Sequence, residues 1–405
     1  MDGPPNNEKT PFPDRFGGQT GNGAEVSTVD TSGDHKGDST PKKTADQYAQ
    51  ERYSLDTQVK RLLRADALRL DPKKHAANTH RTVGCTWIRV ADVELVRPLD
   101  RETFHFKGLM TCGSVWSCPI CSAKIQERRR QEVGKAISYF LGIGKQTIMV
   151  SYTFPHRIDE SLVMLRFRQQ QAMNSMRASG SYKQLMLDAG YSGRIRSLEV
   201  THGVNGWHPH THELLGVNNG INVAGLSAEL TRLWLKACKK AGLFQPGRDD
   251  ESSFGLHAVD VRSGDEGAAS YLAKLDDQTK WGMSHELTKS SSKSGRRAGV
   301  HPFKLASQAS TSALFIEYVH AMKGQQQLVW SRGLKSAVGI EEKTDEEIAT
   351  EEVAKVNARI PVDARAWRIV LGNDARWELT HAAKIGGALG VSMFLTALGY
   401  VDESG

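Results

Sequence analysis

The first strongly periodic stretch is 46–70 (DQYAQERYSLDTQVKRLLRADALRL). There Leu55, Val59, Leu62 and Leu63 recur at helical spacing among charged residues, which predicts an amphipathic helix. Residues 120–140 predict a second helix, with a basic face carrying Lys124, Arg128, Arg129 and Arg130. The pattern then turns to strands. Residues 145–154 (KQTIMVSYTF) are rich in β-formers and stop at Pro155. Residues 159–187 read as one or two helices. Residues 194–202 (RIRSLEVTH) and 208–217 (HPHTHELLGV) read as strands flanking a hairpin signal at Val204-Asn205-Gly206-Trp207. An amphipathic helix over 223–241, a loop over 245–252, a strand over 254–262 and a helix over 264–277 complete the series. The order β-α-β-β-α-β-α predicts an α+β fold: an antiparallel sheet with a split βαβ core, flanked by helices. Residues 306–322 also look helical, and the last 50 residues predict a helical C-terminal region.

Between these elements the composition marks the boundaries. Residues 1–45 are Gly-, Pro- and Ser-rich with few apolar positions, which predicts a disordered tail. The expected division is then a helix and Cys-rich module (46–140), a catalytic core (141–285), a basic segment and helix completing it (286–340), and an acidic run with the C-terminal region (341–405).

The 405 residues are 39% hydrophobic and 24% charged, ordinary for a globular protein with two or three cores. No apolar run reaches the ~20 residues of a membrane span. The N-terminus lacks a basic-plus-apolar start, so the expectation is a cytoplasmic protein without membrane contact. Net charge is +7, yet residues 341–352 hold seven acids and one Lys; the remainder therefore carries +7 − (−6) = +13. Such a surplus suits a polyanion, most simply nucleic acid. Arg128, Arg129 and Arg130, with Arg296 and Arg297 in the acid-free stretch 288–304, are the candidate phosphate contacts.

Three of the five cysteines lie within ten residues, as Cys112-x5-Cys118-x2-Cys121. That is metal-ligand spacing rather than a disulfide scaffold. Cys85 is the expected fourth ligand of a structural zinc site, with His105 as its substitute. Cys238 falls on a predicted helix as a core residue.

The hairpin carries the sharpest chemistry. With Asn205-Gly206 as a two-residue turn, opposed positions sum to 411, so His212 faces Glu199 and His210 faces Thr201. Residues two apart share a sheet face, so Glu199, His210 and His212 converge, with His208 beside them. Two imidazoles and a carboxylate suit a divalent cation with open positions. An edge hairpin with incidental histidines is the alternative. Further on, Ser263 with Glu266 forms a capping-box pattern, and Tyr271 and Lys274 lie one turn apart on the same face of the helix it starts. A tyrosine near a metal-bound phosphodiester can act as nucleophile, and an ammonium can neutralise phosphate charge.

Together these motifs resemble the HUH endonuclease superfamily, and within it the single-tyrosine rolling-circle plasmid replication initiators (the Rep family). TIMVSYTFPH (147–156), GWHPHTHELLGV (206–217) and YLAK (271–274) resemble its three motifs in order. CGSVWSCPIC (112–121) and KGQQQLVWSRGLKSAVGI (323–340) add to the match. The resemblance implies nicking and joining of single-stranded or hairpin origin DNA. Mg²⁺ or Mn²⁺ would be held by His210, His212 and Glu199. Tyr271 would form a 5′-phosphotyrosine, Lys274 would orient the phosphate, and the freed 3′-OH would serve a host helicase and DNA polymerase in a bacterial cytoplasm. Two positions depart from the family. Thr211 replaces a bulky apolar residue, and Gly267 stands where some relatives carry a water-activating glutamate, with Glu266 one residue earlier. A transposase or mobilisation relaxase shares the chemistry, but no second tyrosine lies near Tyr271 and no G-x-x-x-x-G-K-[ST] loop is present. A zinc-containing DNA-binding regulator without catalysis is the alternative from another class.

Overall fold

The computed structural model describes residues 44–99, 102–263, 299–351 and 355–401. Thr44 opens helix α1 (Ala45–Leu70) with a capping box to Gln47. Leu55, Val59 and Leu63 form its buried stripe, as their spacing predicts. A short helix α2 (Ala76–Thr79) leads to strands β1 (Arg89–Pro98) and β2 (His105–Leu109), then to α3 (Pro119–Gly142), which starts with Pro119 in its first turn.

The central unit follows as β3 (Lys145–Tyr152), α4 (Leu162–Ala178), α5 (Gly180–Asp188), β4 (Gly193–Gly203), β5 (Gly206–Asn218), α6 (Val223–Ala241), α7 (Glu251–His257) and β6 (Val259–Ser263). The strand expected over 254–262 begins later. The Asp250 side chain accepts a hydrogen bond from the Ser253 amide and caps α7 over its first half. After residue 298 come α8 (Pro302–Ala306), α9 (Ser312–Met322), β7 (Leu328–Trp330), α10 (Leu334–Val338), α11 (Asp345–Thr350), β8 (Val356–Val362), α12 (Ala364–Gly372) and α13 (Arg376–Ala397). The C-terminal region is thus not purely helical: β8 pairs antiparallel with β1 from Val93↔Val362 to Pro98↔Val356.

The fold is α+β with two antiparallel sheets. The smaller runs β2-β1-β8 and the larger β6-β3-β5-β4-β7. Along β4 and β5, one face carries Leu198, Val200, Leu215 and Val217, which pack into the core that also takes Leu165, Leu230 and Trp234 from α4 and α6. The same core continues into Leu55, Val59 and the buried Cys residues, so α1 and the Cys-rich module share it. The opposite face is covered only at one end. There Val133, Ile137 and Phe140 of α3 pack on Met149, Ile195 and Leu214. Gly216 permits that approach, because a Cβ there would sit 2.3 Å from the Phe140 ring. The other end of this face is polar.

One buried ionic knot ties α13 to α1. Arg376 is fully buried and donates to Asp56 Oδ2 (2.7 Å), Thr86 Oγ1 (2.8 Å) and Thr57 Oγ1 (2.9 Å), while Lys60 also pairs with Asp56. Among the described residues no helix is long and apolar enough to cross a membrane.

Candidate metal centres

The hairpin turn differs from the type I′ expectation. Val204 and Asn205 are its central residues, neither has positive φ, and Gly206 follows at φ +86°. This is the common turn followed by a left-handed glycine. A Cβ on Gly206 would lie 2.7 Å from Ile158 Cα and 2.8 Å from the Arg157 carbonyl oxygen, so both φ and space require glycine. Opposed residues therefore sum to 409 rather than 411: Glu199 faces His210, Ser197 faces His212 and Thr201 faces His208. The shift is two residues in register, which returns every side chain to its original face. The expected convergence survives with exchanged partners.

Glu199 Oε2 lies 3.1 Å from His210 Nε2 and 3.1 Å from His212 Nε2. These three atoms form a ligand set within 4.8 Å, at the polar end of the sheet face that α3 leaves uncovered. Ser151 on β3, opposite His212, holds that ring through His212 Nδ1 at 2.8 Å. His210 Nδ1 is 3.1 Å from the His208 carbonyl oxygen. Both rings are thus oriented from behind with Nε2 forward, the arrangement that metal-binding imidazoles use. Burial raises the Glu199 carboxyl, but the His210 and His212 contacts outweigh it and hold the group well below the usual carboxylate range. A divalent cation fits this donor set: two nitrogens, one anionic oxygen and an uncovered side.

His208 does not join the triad. It stacks on His156 at 4.7 Å and sits 4.9 Å from the His210 ring, extending a row of imidazoles along the strand. Desolvation, with the neighbouring rings, lowers it to about 3, so it stays neutral beside a cation. His156 and His301 were not singled out from sequence. His301 is lowered to about 4 by burial despite the opposing pull of Glu199; the only signal for His156 was its place directly after the β3 motif. Thr211 is buried on the opposite face, where its hydroxyl accepts from Gln169 Nε2 at 3.1 Å. That hydrogen bond explains how a polar residue is tolerated at a core position.

Tyr271, Lys274, Glu266, Arg296 and Arg297 lie outside the described residues. The described chain leaves the sheet at Ser263, paired with Ile148, and resumes at Gly299, whose Cα packs beside Gly203 before Val300 bridges His202.

The four cysteines form a second ligand set. Sγ of Cys85 and Cys121 are 3.5 Å apart, Cys112 and Cys121 3.7 Å, and Cys85 and Cys118 3.7 Å. Four thiolates at about 2.3 Å from zinc would be about 3.8 Å apart, so the cluster fits a tetrahedral ion almost without adjustment. No disulfide forms among them. Cys85, not His105, completes the set. The Cys121 and Ser114 amides and the Thr82 hydroxyl donate to these sulfurs, which favours thiolate.

The basic face of α3 is largely committed within the chain. Arg129 is buried and bonds Glu132 (2.8 Å), Asp345 (3.0 Å) and the Lys343 carbonyl. Arg130 pairs with Glu127 at 2.9 Å and Arg128 lies 3.6 Å from Glu132. The acidic run thus docks on α3 through α11, and its charge is partly neutralised there.

Over 349 aligned positions the chain is 24% identical to "Protein rep" of Streptomyces lividans, covering 68% of this chain and 76% of that protein. It is 30% identical over 133 residues to a "Neomycin resistance protein" of Streptomyces cyanogenus, a match spanning 27% of this chain and 30% of that relative. No protein-family model matches. No solved structure matches.

Proposed function

We propose that the chain is a plasmid replication protein that initiates rolling-circle replication by nicking and rejoining single-stranded origin DNA, with single-tyrosine HUH chemistry. The observation that carries this reading is the convergence of His210 Nε2 and His212 Nε2 on one oxygen of Glu199 at 3.1 Å, on the uncovered end of a sheet. Similarity to a protein named "rep" over most of the chain supports the same reading. The resistance named for the second relative is not carried over, because that match spans 30% of its length.

In this mechanism His210, His212 and Glu199 hold Mg²⁺ or Mn²⁺, which supplies Lewis-acid polarisation of the scissile phosphate. Ser151 and the His208 carbonyl keep the two imidazoles oriented. The Tyr271 oxygen bonds to phosphorus as the P–O3′ bond breaks; the phenolic proton leaves, and the departing oxygen takes up a proton to become the 3′-OH. Lys274 neutralises charge on the phosphate. Rejoining reverses these bond changes, so no nucleotide is consumed. The four cysteines hold zinc structurally. Host helicase and polymerase then act on the freed end.

The test is incubation with end-labelled single-stranded origin DNA and Mn²⁺, followed by denaturing electrophoresis. A protease-sensitive covalent adduct is expected. Tyr271→Phe should abolish it while DNA binding persists, and His210→Ala should reduce cleavage and its metal dependence. A folded, DNA-binding wild-type protein that forms no adduct at any origin sequence would refute the proposal in favour of a non-catalytic regulator.

A further inference from the structure

Away from the hairpin, three residues from distant parts of the chain bring ligand atoms to one point. Asp66 lies near the end of α1, His80 follows α2 five residues before Cys85, and His320 lies in the last turn of α9. Asp66 Oδ2 is 2.8 Å from His80 Nε2 and 2.8 Å from His320 Nε2. All three ligand atoms fall within 4.8 Å of one another. The arrangement repeats that of Glu199, His210 and His212: one carboxylate oxygen central to two Nε2 atoms.

We propose that Asp66, His80 and His320 form a further divalent-cation site, structural in role, suited to a borderline transition metal such as Zn²⁺. Ligands about 2.1 Å from such an ion lie about 3.0 Å apart at right angles and about 3.4 Å apart at the tetrahedral angle. The observed 2.8 Å therefore needs shifts of a few tenths of an ångström. Arg69 bonds Asp66 Oδ1 at 2.7 Å, which leaves Oδ2 turned to the imidazoles. The Asp66 and His80 side chains are buried at 3% and 8% exposure, while His320 is 38% exposed and gives the ion a path in and room for a water ligand. Nitrogen and oxygen donors without sulfur separate this site from the Cys cluster, and the positive charges of Arg69 and Lys323 nearby make it the weaker of the two.

Its consequence is mechanical. The ion would join α1 and the turn leading to Cys85 on one side to α9 on the other. Just past α9 the Gln325 carbonyl accepts from Trp116 Nε1 of the Cys-rich loop at 2.7 Å. The site would therefore staple the zinc module to the helices that back the large sheet. Without an ion, the same three residues make a plain hydrogen-bonded His–Asp–His clamp, which is the competing account.

Cobalt(II) titration of zinc-loaded full-length protein separates the two. In a His210→Ala/His212→Ala background, one equivalent should bind with weak visible d–d bands and no sulfur charge-transfer band, and should raise the melting temperature. Adding His320→Gln, an exposed and near-isosteric change, should abolish both signals while zinc content and circular dichroism stay unchanged. In the unaltered hairpin background, Asp66→Asn should reduce cobalt stoichiometry from two to one. Absence of saturable cobalt binding in the double variant, or binding that survives His320→Gln and Asp66→Asn, overturns the proposal. These readouts use no DNA, so they stand or fall separately from the nicking activity.

Discussion

The row of neutral imidazoles makes the fold sensitive to mild acid, and His208 tests this most directly. A histidine whose folded pKa is depressed stays unprotonated while the unfolded chain takes up a proton near pH 6.5. Stability is therefore complete above that value and falls as pH drops through it, until the folded pKa is reached. His208 is lowered to about 3 and His301 to about 4, both chiefly by desolvation. His80, His156 and His202 shift the same way for the same first cause. Each fully depressed group steepens the loss by about 1.4 kcal/mol per pH unit. Between pH 7.5 and 5.0 that integrates to about 2 kcal/mol for His208 as an upper bound. The assay is urea unfolding followed by tryptophan fluorescence at both pH values, in zinc-containing buffer free of Mg²⁺ and Mn²⁺. His208→Gln cannot titrate in either state, so it should lose about 2 kcal/mol less than wild type over this interval. Loosening of the cysteine site at low pH affects both proteins alike and cancels in the difference. Equal losses in the two proteins would show that His208 is solvated, refuting the reasoning.

Three further outcomes follow from the geometry. Cys121→Ser should remove the bound zinc, read by elemental analysis, and leave little folded protein, because the cysteines sit inside the main core rather than beside it. Gly206→Ala should cost about 2–4 kcal/mol in chemical denaturation, from left-handed strain plus the clash with the 157–158 backbone, while Asn205→Ala, at negative φ, should cost less than 1 kcal/mol. Arg376→Met should destabilise by about 3–5 kcal/mol in the same measurement, since Asp56 loses a buried charged partner and Thr57 and Thr86 lose their donor.

Much of the candidate site was legible because sheet faces depend on parity. The turn was placed one residue too late, yet the resulting two-residue register shift kept Glu199, His210 and His212 together; only the opposed pairs changed. Helices with strong stripes or caps, such as 45–70 and 223–241, also read correctly. The strand expected from Phe254 failed because one capping carboxylate, Asp250, favours helix over a short alternating run. Strands β1 and β8 carry too little alternation to be seen alone and acquire meaning only by pairing across more than 250 residues. Asp66, His80 and His320 were invisible for the same reason: no local spacing links positions 66, 80 and 320.

The partnership of β1 and β8 also bears on how the chain comes to be folded. Arg89–Pro98 leaves the ribosome early, but the strand completing its sheet, with the α12 and α13 residues that cover Val93 and Leu95, emerges only near the finish. Until then β1 presents an unsealed edge and bare aliphatic side chains, the condition under which strands recruit neighbouring molecules. A chain cut short after position 340 would retain all three hairpin ligands and still be prone to aggregate, so the last segment works as a closing seam for a domain whose chemistry lies elsewhere.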